Sequence, residues 1–408
     1  MPAELHLLSP RGFVASGIYA GIKTRQAPDV GLLLATTSPA TAAAVFTTNK
    51  VVAAPVTIGS EHVKSGRLRG VVVNSGNANA CTGKQGERDA KRMCELAAAV
   101  AKDRARANQI LPSSTGIIGH ALPMRKIERG IIEAGLQLGD SAEHARTFAD
   151  AIMTTDTRRK TAAARVKIGG ATVTIAGVCK GAGMIGPRMS ATPHATMLAY
   201  LTTDAQVAAP VLRRLLQEAA DASFNAVTID DHMSTNDTAV LLASGQSDGK
   251  VTAGKSLNAF AAALDEVCQS LAYQIAADGE GATKVVTVTV RQAKNVADAR
   301  AMARAIANSP LVKCAMNGND PNWGRIVSAA GLAGGAAFDP DKATLTLQGT
   351  VVFRNGQPVA FDAGAVSDRL DADEVKVDLA CRLGKSEATM WTCDLSKDYV
   401  TINADYHT

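Results

Sequence analysis

Hydrophobic positions recur with a helical period in four stretches of the chain. Residues 87–102 set Met93, Leu96, Ala97 and Val100 on one face. Residues 209–222, 256–276 and 297–308 follow the same spacing, with Ser256 expected as the N-cap of the third. Elsewhere the period is two. Residues 161–178 alternate around Gly169-Gly170, which predicts a hairpin with a two-residue loop, and Asn355-Gly356 marks another between 343–353 and 358–361. Residues 284–290 alternate cleanly, and 375–382, 388–394 and 398–403 read as further short strands. Repeated hairpins beside long helices predict an α+β fold of sheets covered by helices, rather than alternating βαβ units. No Pro/Ser-rich linker, internal repeat or low-complexity segment divides the chain.

Composition narrows the function classes. A chain of 408 residues allows two or three domains or one large unit, and 46% hydrophobic with 20% charged residues is a globular balance, neither disordered nor fibrous. Lys+Arg 43 against Asp+Glu 38 leaves only +5, and opposite charges are interspersed, as in 84-KQGERDAKR-92. No basic stripe suits a phosphate backbone, and 4% aromatics supplies few stacking platforms, so no nucleic-acid partner is expected. No apolar run approaches the roughly 18 residues of a membrane span. The start, 1-MPAELHLLSPRGF-13, lacks a basic region followed by an apolar one, so a cytoplasmic location with no membrane partner is expected. The 7 cysteines are scattered without a Cys-x-x-Cys, which predicts free thiols in a reducing compartment; the 7 histidines are dispersed too, so no metal is expected.

Local chemistry leaves alternatives open. Residues 181-GAGMIG-186 fit a dinucleotide fingerprint after a strand-like run, with Asp204 as the acidic residue further on. That reading needs a helix to open there, and Pro187 and Pro193 stand in its way; the glycines otherwise mark a sharp bend or a close backbone approach. A loop rich in Pro, Ser and Thr then runs through Ala195 into Thr196 and an apolar run, Met197 to Leu201. A hydroxyl directly after a small residue, where loop meets strand, suits an N-to-O shift onto its own preceding carbonyl. The freed α-amine, with an unperturbed pKa of about 7.7–8.0, can then serve as base for that hydroxyl. The same threonine also reads as an ordinary strand opening. In 112-PSSTGIIG-119 a Gly turn can aim backbone N–H groups at an anionic oxygen, or be a simple turn or cap. Residues 74–83, 234–239 and 318–325 are dense in small polar side chains beside Gly, as turns and polar pockets are.

Taken in order, these segments resemble the ornithine acetyltransferase family, the glutamate N-acetyltransferases of cyclic arginine biosynthesis. The resemblance runs from 12-GFVASGIYAGIK-23 through 46-FTTNKVVAAPV-56, 73-VNSGNANACTG-83, 113-SSTGIIG-119, 152-IMTTDT-157 and 180-KGAGMIGP-187. It continues with 195-ATML-198, 234-STNDT-238, 278-DGEGATK-284, 320-DPNWGR-325 and 403-NADYHT-408. It implies a layered αββα-like fold of the self-processing aminopeptidase type. The precursor would be cut between Ala195 and Thr196 into an α chain, 1–195, and a β chain, 196–408, that stay together, as a heterotetramer of two α and two β chains. Thr196 would be the nucleophile, and Thr115 with Gly116 the oxyanion hole. Thr154 (Thr155 the close alternative), Lys180, Thr196, Glu280, Asn403 and Thr408 would hold the substrate. The implied reaction moves acetyl from N2-acetyl-L-ornithine to L-glutamate without a cofactor; some members also take acetyl-coenzyme A, and the motifs do not decide that.

Three departures stand out. Residues 190-SATPH-194 are inserted before the Ala-Thr-Met-Leu motif with Arg188 in place of Asn, Asp231-His232-Met233 stand where Gly-Asp-Thr is usual, and His407 replaces Arg. None removes a proposed catalytic residue, but they leave standing a paralogue with another acyl acceptor in secondary metabolism; an amidase or aminopeptidase on the same scaffold is a separate alternative, against which Thr196 in place of Ser counts. Because the implied site draws on residues before and after 195, the cut is not expected to be a domain boundary.

Overall fold

The computed structural model describes residues 4–101, 105–190 and 197–405. The chain forms two compact units: the described residues of Met1–Asn225 and Met233–Leu271 make the first, those of Ala226–His232 and Ala272–His407 the second.

In the first unit a four-stranded sheet runs Phe13–Ile18, Val30–Ala35, Gly70–Asn77, Ile110–Ile117, with only the last pair parallel. Its inner strands are apolar on both faces because both faces are covered. Leu32, Leu34 and Val72 pack with Met93 and Ala97 of helix Gly83–Val100 and with Ile127 and Ile131 of helix Met124–Leu136. Leu33, Val71 and Val73 share a core with Val56 of helix Ala54–Val63 and Phe148 of helix Ala142–Ile152.

That core continues into a six-stranded sheet ordered Arg67–Leu68, Ala40–Phe46, Thr238–Ala243, Leu198–Thr203, Ala171–Lys180, Lys160–Ile168. Leu198–Thr203 is buried at every position, antiparallel to Ala171–Lys180 and parallel to Thr238–Ala243. Its Tyr200 meets Phe148 edge to face, centroids 5.3 Å apart. Helix Ala209–Asp221 starts with Pro210 in its first turn and buries Leu212, Leu215, Leu216, Ala219 and Ala220, a 3.6-residue stripe. Each buried leucine there contributes about 1.5–3 kcal/mol.

The second unit holds a six-stranded sheet ordered Gln357–Pro358, Thr350–Arg354, Thr344–Leu347, Glu374–Ala380, Val285–Ala293, Ser386–Cys393. Helix Val296–Asn308, capped by the Asn295 side chain on Asp298 N–H, packs Ala299, Met302, Ala303 and Ile306 against it. Layering of sheets and helices in both units is the expected α+β class.

Several elements differ from the sequence reading. Residues 343–353 are two strands, broken at Gln348-Gly349, where φ is +46° and +79°. Residues 398–403 are helix, Lys397–Asp405, although Tyr399, Val400, Thr401 and Ile402 favour strands. The Ser396 hydroxyl, accepting from Tyr399 N–H, starts that turn. Ser256 is not a cap but lies inside helix Lys255–Ala277, its hydroxyl donating to the Ala253 carbonyl. No helix opens across 181–190, and Asp204 accepts from Thr174 N–H and Arg11 N–H instead, so the dinucleotide reading fails. All seven cysteines are unbridged, with only Cys81 and Cys314 exposed. Among the described residues no helix is long and apolar enough to cross a membrane.

Candidate active site

The Ser-Ser-Thr-Gly segment ends the strand Ile110–Ile117. Thr115 is opposite Ser75 and Gly116 opposite Gly76, and the parallel ladder slips just beyond, at Asn77. Gly116 has φ +130°, and a Cβ there would stand 2.4 Å from the Gly76 carbonyl carbon and 2.6 Å from Asn77 N. Only glycine lets the two backbones approach so closely. The 73–83 string fixes the partner turn: Ser114 Oγ donates to Asn74 Oδ1 at 2.6 Å, Asn74 Nδ2 to the Asn77 carbonyl at 2.9 Å, and Asn77 Nδ2 to the Ala121 carbonyl at 3.1 Å.

Lys180 ends the strand Ala171–Lys180, is buried, and donates from Nζ to Thr115 Oγ1 at 3.2 Å. Beside it lies an acid that sequence reasoning missed. Asp156 Oδ1 accepts from Lys160 Nζ and from Gly181 N–H, both at 2.6 Å, and Oδ2 accepts from Thr154 N–H at 3.0 Å. Burial alone would raise the Asp156 pKa, but the Lys180 and Lys160 ammonium groups and the Gly181 N–H hold it well below the usual carboxylate range. Thr154 is half-buried, its carbonyl accepting from Arg25 at 3.1 Å, and Thr155 follows it in the same turn. Asp156 thus links Thr154, Lys180 and, through Lys180, Thr115.

Lys23 borders this cluster, its Nζ donating to the Pro28 carbonyl at 2.7 Å and the Asp150 carbonyl at 3.3 Å. Burial first and Arg25 next lower its pKa to about 8, with Asp29 opposing. Below that value the ammonium is charged in both folded and unfolded chains, and burying it is costly. Between about 8 and the ordinary 10.5 the folded chain gives up the proton first, so folding gains stability as pH rises. Lys23→Met should therefore be more stable relative to the natural protein at pH 7 than at pH 10, the gap closing by about 2.5 kcal/mol at 1.36 kcal/mol per pKa unit. Urea titrations at both pH values check this; a gap that does not change with pH would contradict it.

Ala195 and Thr196 lie outside the described residues, as does Thr408. The chain leading in is pinned at Ser190, which exchanges backbone hydrogen bonds with Phe46, and at Met189, whose N–H and carbonyl both bond the Asn225 amide. Beyond the undescribed stretch the Met197 carbonyl accepts from Thr238 N–H at 2.7 Å, and Leu198 stands opposite Lys180. The 46–56 and 234–238 strings meet here: Thr47 Oγ1 donates to the Ser234 carbonyl at 2.9 Å and Ala53 N–H to the Thr235 carbonyl at 3.1 Å.

In the second unit Glu280 sits in the turn between helix Lys255–Ala277 and strand Val285–Ala293, accepting from Asn403 Nδ2 at 2.9 Å. Ser396 Oγ donates to the Gly281 carbonyl at 2.5 Å, so the turn and helix Lys397–Asp405 are fastened together. Tyr399 in that helix donates to Asp230 Oδ2 at 3.2 Å; burial, then the Asp230 and Glu280 carboxylates, push its hydroxyl pKa up. The expected residues therefore fall in two groups: Thr115, Gly116, Thr154 and Lys180 in the first unit, and Glu280 with Asn403 in the second. Among the described residues no group of three His, Cys, Asp or Glu is placed to hold a metal ion.

The ArgJ family profile matches residues 14–408. The chain is similar to the arginine biosynthesis bifunctional protein ArgJ of Symbiobacterium thermophilum, 48% identical over 404 residues that cover 98% of each chain. Its likeness to the protein of the same name in Lactococcus lactis subsp. lactis is 44% over 402 residues, again 98% of each. Among solved structures, the Bacillus halodurans protein of that name aligns at 36% identity and a TM-score of 0.48, covering 50% of this chain and 97% of that one.

Proposed function

The chain belongs to the ArgJ family, and on that premise we propose that it is a self-processing acetyltransferase that moves acetyl from N2-acetyl-L-ornithine to L-glutamate. The observation that carries the reading is the meeting of Lys180 and Thr115 at 3.2 Å where Lys180 faces Leu198, two positions after Thr196 in the sequence. A buried ammonium suits a substrate carboxylate, and a threonine hydroxyl beside a positive-φ Gly turn suits a developing oxyanion.

In the reaction so read, the Thr196 α-amine takes the hydroxyl proton and Oγ attacks the acetyl carbonyl. Thr115 and Gly116 stabilise the tetrahedral oxyanion, about 3 kcal/mol per donor. The C–N bond breaks, ornithine leaves with the proton on its amine, and an acetyl ester remains on Thr196. The glutamate amine then attacks that ester and releases N-acetylglutamate, restoring the threonine. Thr154, Lys180, Glu280, Asn403 and Thr408 hold the amino-acid portions. Cleavage at Ala195–Thr196 gives the α and β chains, assembled as a heterotetramer of two of each in the cytoplasm.

The test is acetylornithine turnover with and without glutamate. Ornithine release that depends on glutamate, with matching N-acetylglutamate, supports the transferase. Equal release into water points to the amidase reading instead, and preference for another amine in an acceptor panel points to a paralogue. Acetyl-coenzyme A assayed as donor decides whether it also reaches the ester.

A further inference from the structure

Asp156 has no role in that reaction, yet it bonds one of the positions that do, Thr154, and its charge acts on a second, Lys180. Its two oxygens bond Thr154 N–H, Gly181 N–H and Lys160 Nζ, at 3.0, 2.6 and 2.6 Å. The side chains of Asp156 and Lys160 are both 0% exposed. A fully buried ion pair is a poor source of stability, because desolvating two charges offsets their attraction and an apolar pair of similar volume often does as well. What such a pair does supply is fixed geometry. Here it ties the turn after helix Ala142–Ile152 to the first residue beyond strand Ala171–Lys180, and the Asp156 charge acts on the Lys180 ammonium that donates to Thr115.

We propose that Asp156 is a positioning residue which, with Lys160, fixes the strand end at Lys180–Gly181 and keeps the Lys180 ammonium aimed at Thr115 before substrate arrives. The proposal deepens the acetyl-transfer reading and rests on it. Lys160 takes a direct share of the carboxylate, so Asp156 steadies Lys180 without absorbing its whole positive charge. Lys180 then keeps charge to offer a substrate carboxylate, while Thr115 stays placed for the oxyanion.

The experiment uses the full natural protein, Asp156→Asn and Lys160→Met, with kcat and KM for acetylornithine at saturating glutamate from pH 6 to 10. Among the described residues, the charged groups acting on Lys180 include Asp156, itself paired with Lys160, and Lys23, which has Arg25 and Asp29 around it. In Asp156→Asn the Lys160 and Lys180 ammonium groups oppose each other without the Asp156 charge between them. Its kcat/KM should fall about 10- to 100-fold, mostly through KM, as expected when a binding group is misplaced. The pH at which activity falls on the alkaline side should move down. Lys160→Met has the opposite sign: the Asp156 charge is then no longer shared with Lys160, KM rises, and the alkaline fall moves up. The double variant Asp156→Asn/Lys160→Met should recover part of the single variant's loss.

A merely structural pair would show the same recovery, since the double variant removes the lone buried charge, but it predicts proportional losses at every pH and an unmoved alkaline limb, and that result overturns the proposal. If Asp156→Asn does not fold, the upward shift in Lys160→Met carries the same decision. Natural protein that transfers no acetyl from acetylornithine would defeat the functional reading itself. Natural protein that transfers it beside variants with unmoved profiles would defeat only the positioning role.

Discussion

Thr196→Ala is expected to run as one full-length chain on a denaturing gel and to transfer no measurable acetyl group. In the proposed mechanism the same hydroxyl does two jobs, first attacking the Ala195 carbonyl and then the acetyl carbonyl, and alanine can do neither. Nucleophile deletions of this kind cost on the order of 10⁴- to 10⁶-fold in kcat. Thr196→Ser keeps the hydroxyl, so it should still cleave and transfer, and end sequencing of its second chain should begin with the introduced serine. Two chains from the alanine variant, or transfer above background, would remove Thr196 from the mechanism. Cleavage blocked with transfer intact would separate the two roles and leave the nucleophile elsewhere.

Gly116→Ala should be nearly as damaging, for a reason visible in the backbone. At φ +130° alanine is strained by about 1–3 kcal/mol before any contact is counted. Its Cβ would also press on the backbone of Gly76 and Asn77, and the Asn77 side chain is held by the bonds that shape the turn, to the Ala121 carbonyl and from Asn79 N–H. The ladder must open to admit the methyl group, and Thr115 moves with it. A loss of about 10²–10³-fold in kcat, the usual effect of spoiling an oxyanion site, should accompany a lower melting temperature. Gly119→Ala is the control: its φ is +86°, but nothing lies within 4 Å of the added carbon. It should cost only about 1 kcal/mol of backbone strain and leave kcat unchanged. Equal kcat in both variants would show that the Gly116 turn does not serve the reaction.

Periodic patterning located much of the fold. Helices Ala209–Asp221 and Val296–Asn308 lie within a residue of the stretches their apolar stripes indicate, and the Gly169-Gly170 hairpin is where alternation put it. Helix Met124–Leu136 carries an equally clear stripe, Ile127, Ile131 and Ala134, that the reading passed over. Residues 398–403 misled because local capping by Ser396 outweighs the strand propensity of their β-branched side chains.

The site was less legible. Lys180 stands out only through the family resemblance, since by pattern alone it is a solvated charge; the 112–119 segment holding Thr115 reads by pattern either as an anion-binding Gly turn or as an ordinary one. Asp156 and Lys160 sit in 154-TTDTRRK-160, a polar stretch that reads as exposed turn. Their burial depends on a strand and a turn closing over them from 25 residues away, at Gly181, and no local period records such a contact.

The six-stranded sheet of the first unit has a consequence for how separable the two halves of the chain are. Its middle strands, Thr238–Ala243 and Leu198–Thr203, come after residue 195; the strands flanking them, Ala40–Phe46 and Ala171–Lys180, come before it. Were the chain to part at 195–196, the later pair would remain wedged between earlier strands, held by a ladder on either side. Pulling the fragments apart means unzipping both ladders and exposing six fully buried positions of Leu198–Thr203 at once. A nick there changes the covalent map and creates a chain end, yet leaves the fragments as inseparable as interlocked fingers until the sheet itself melts.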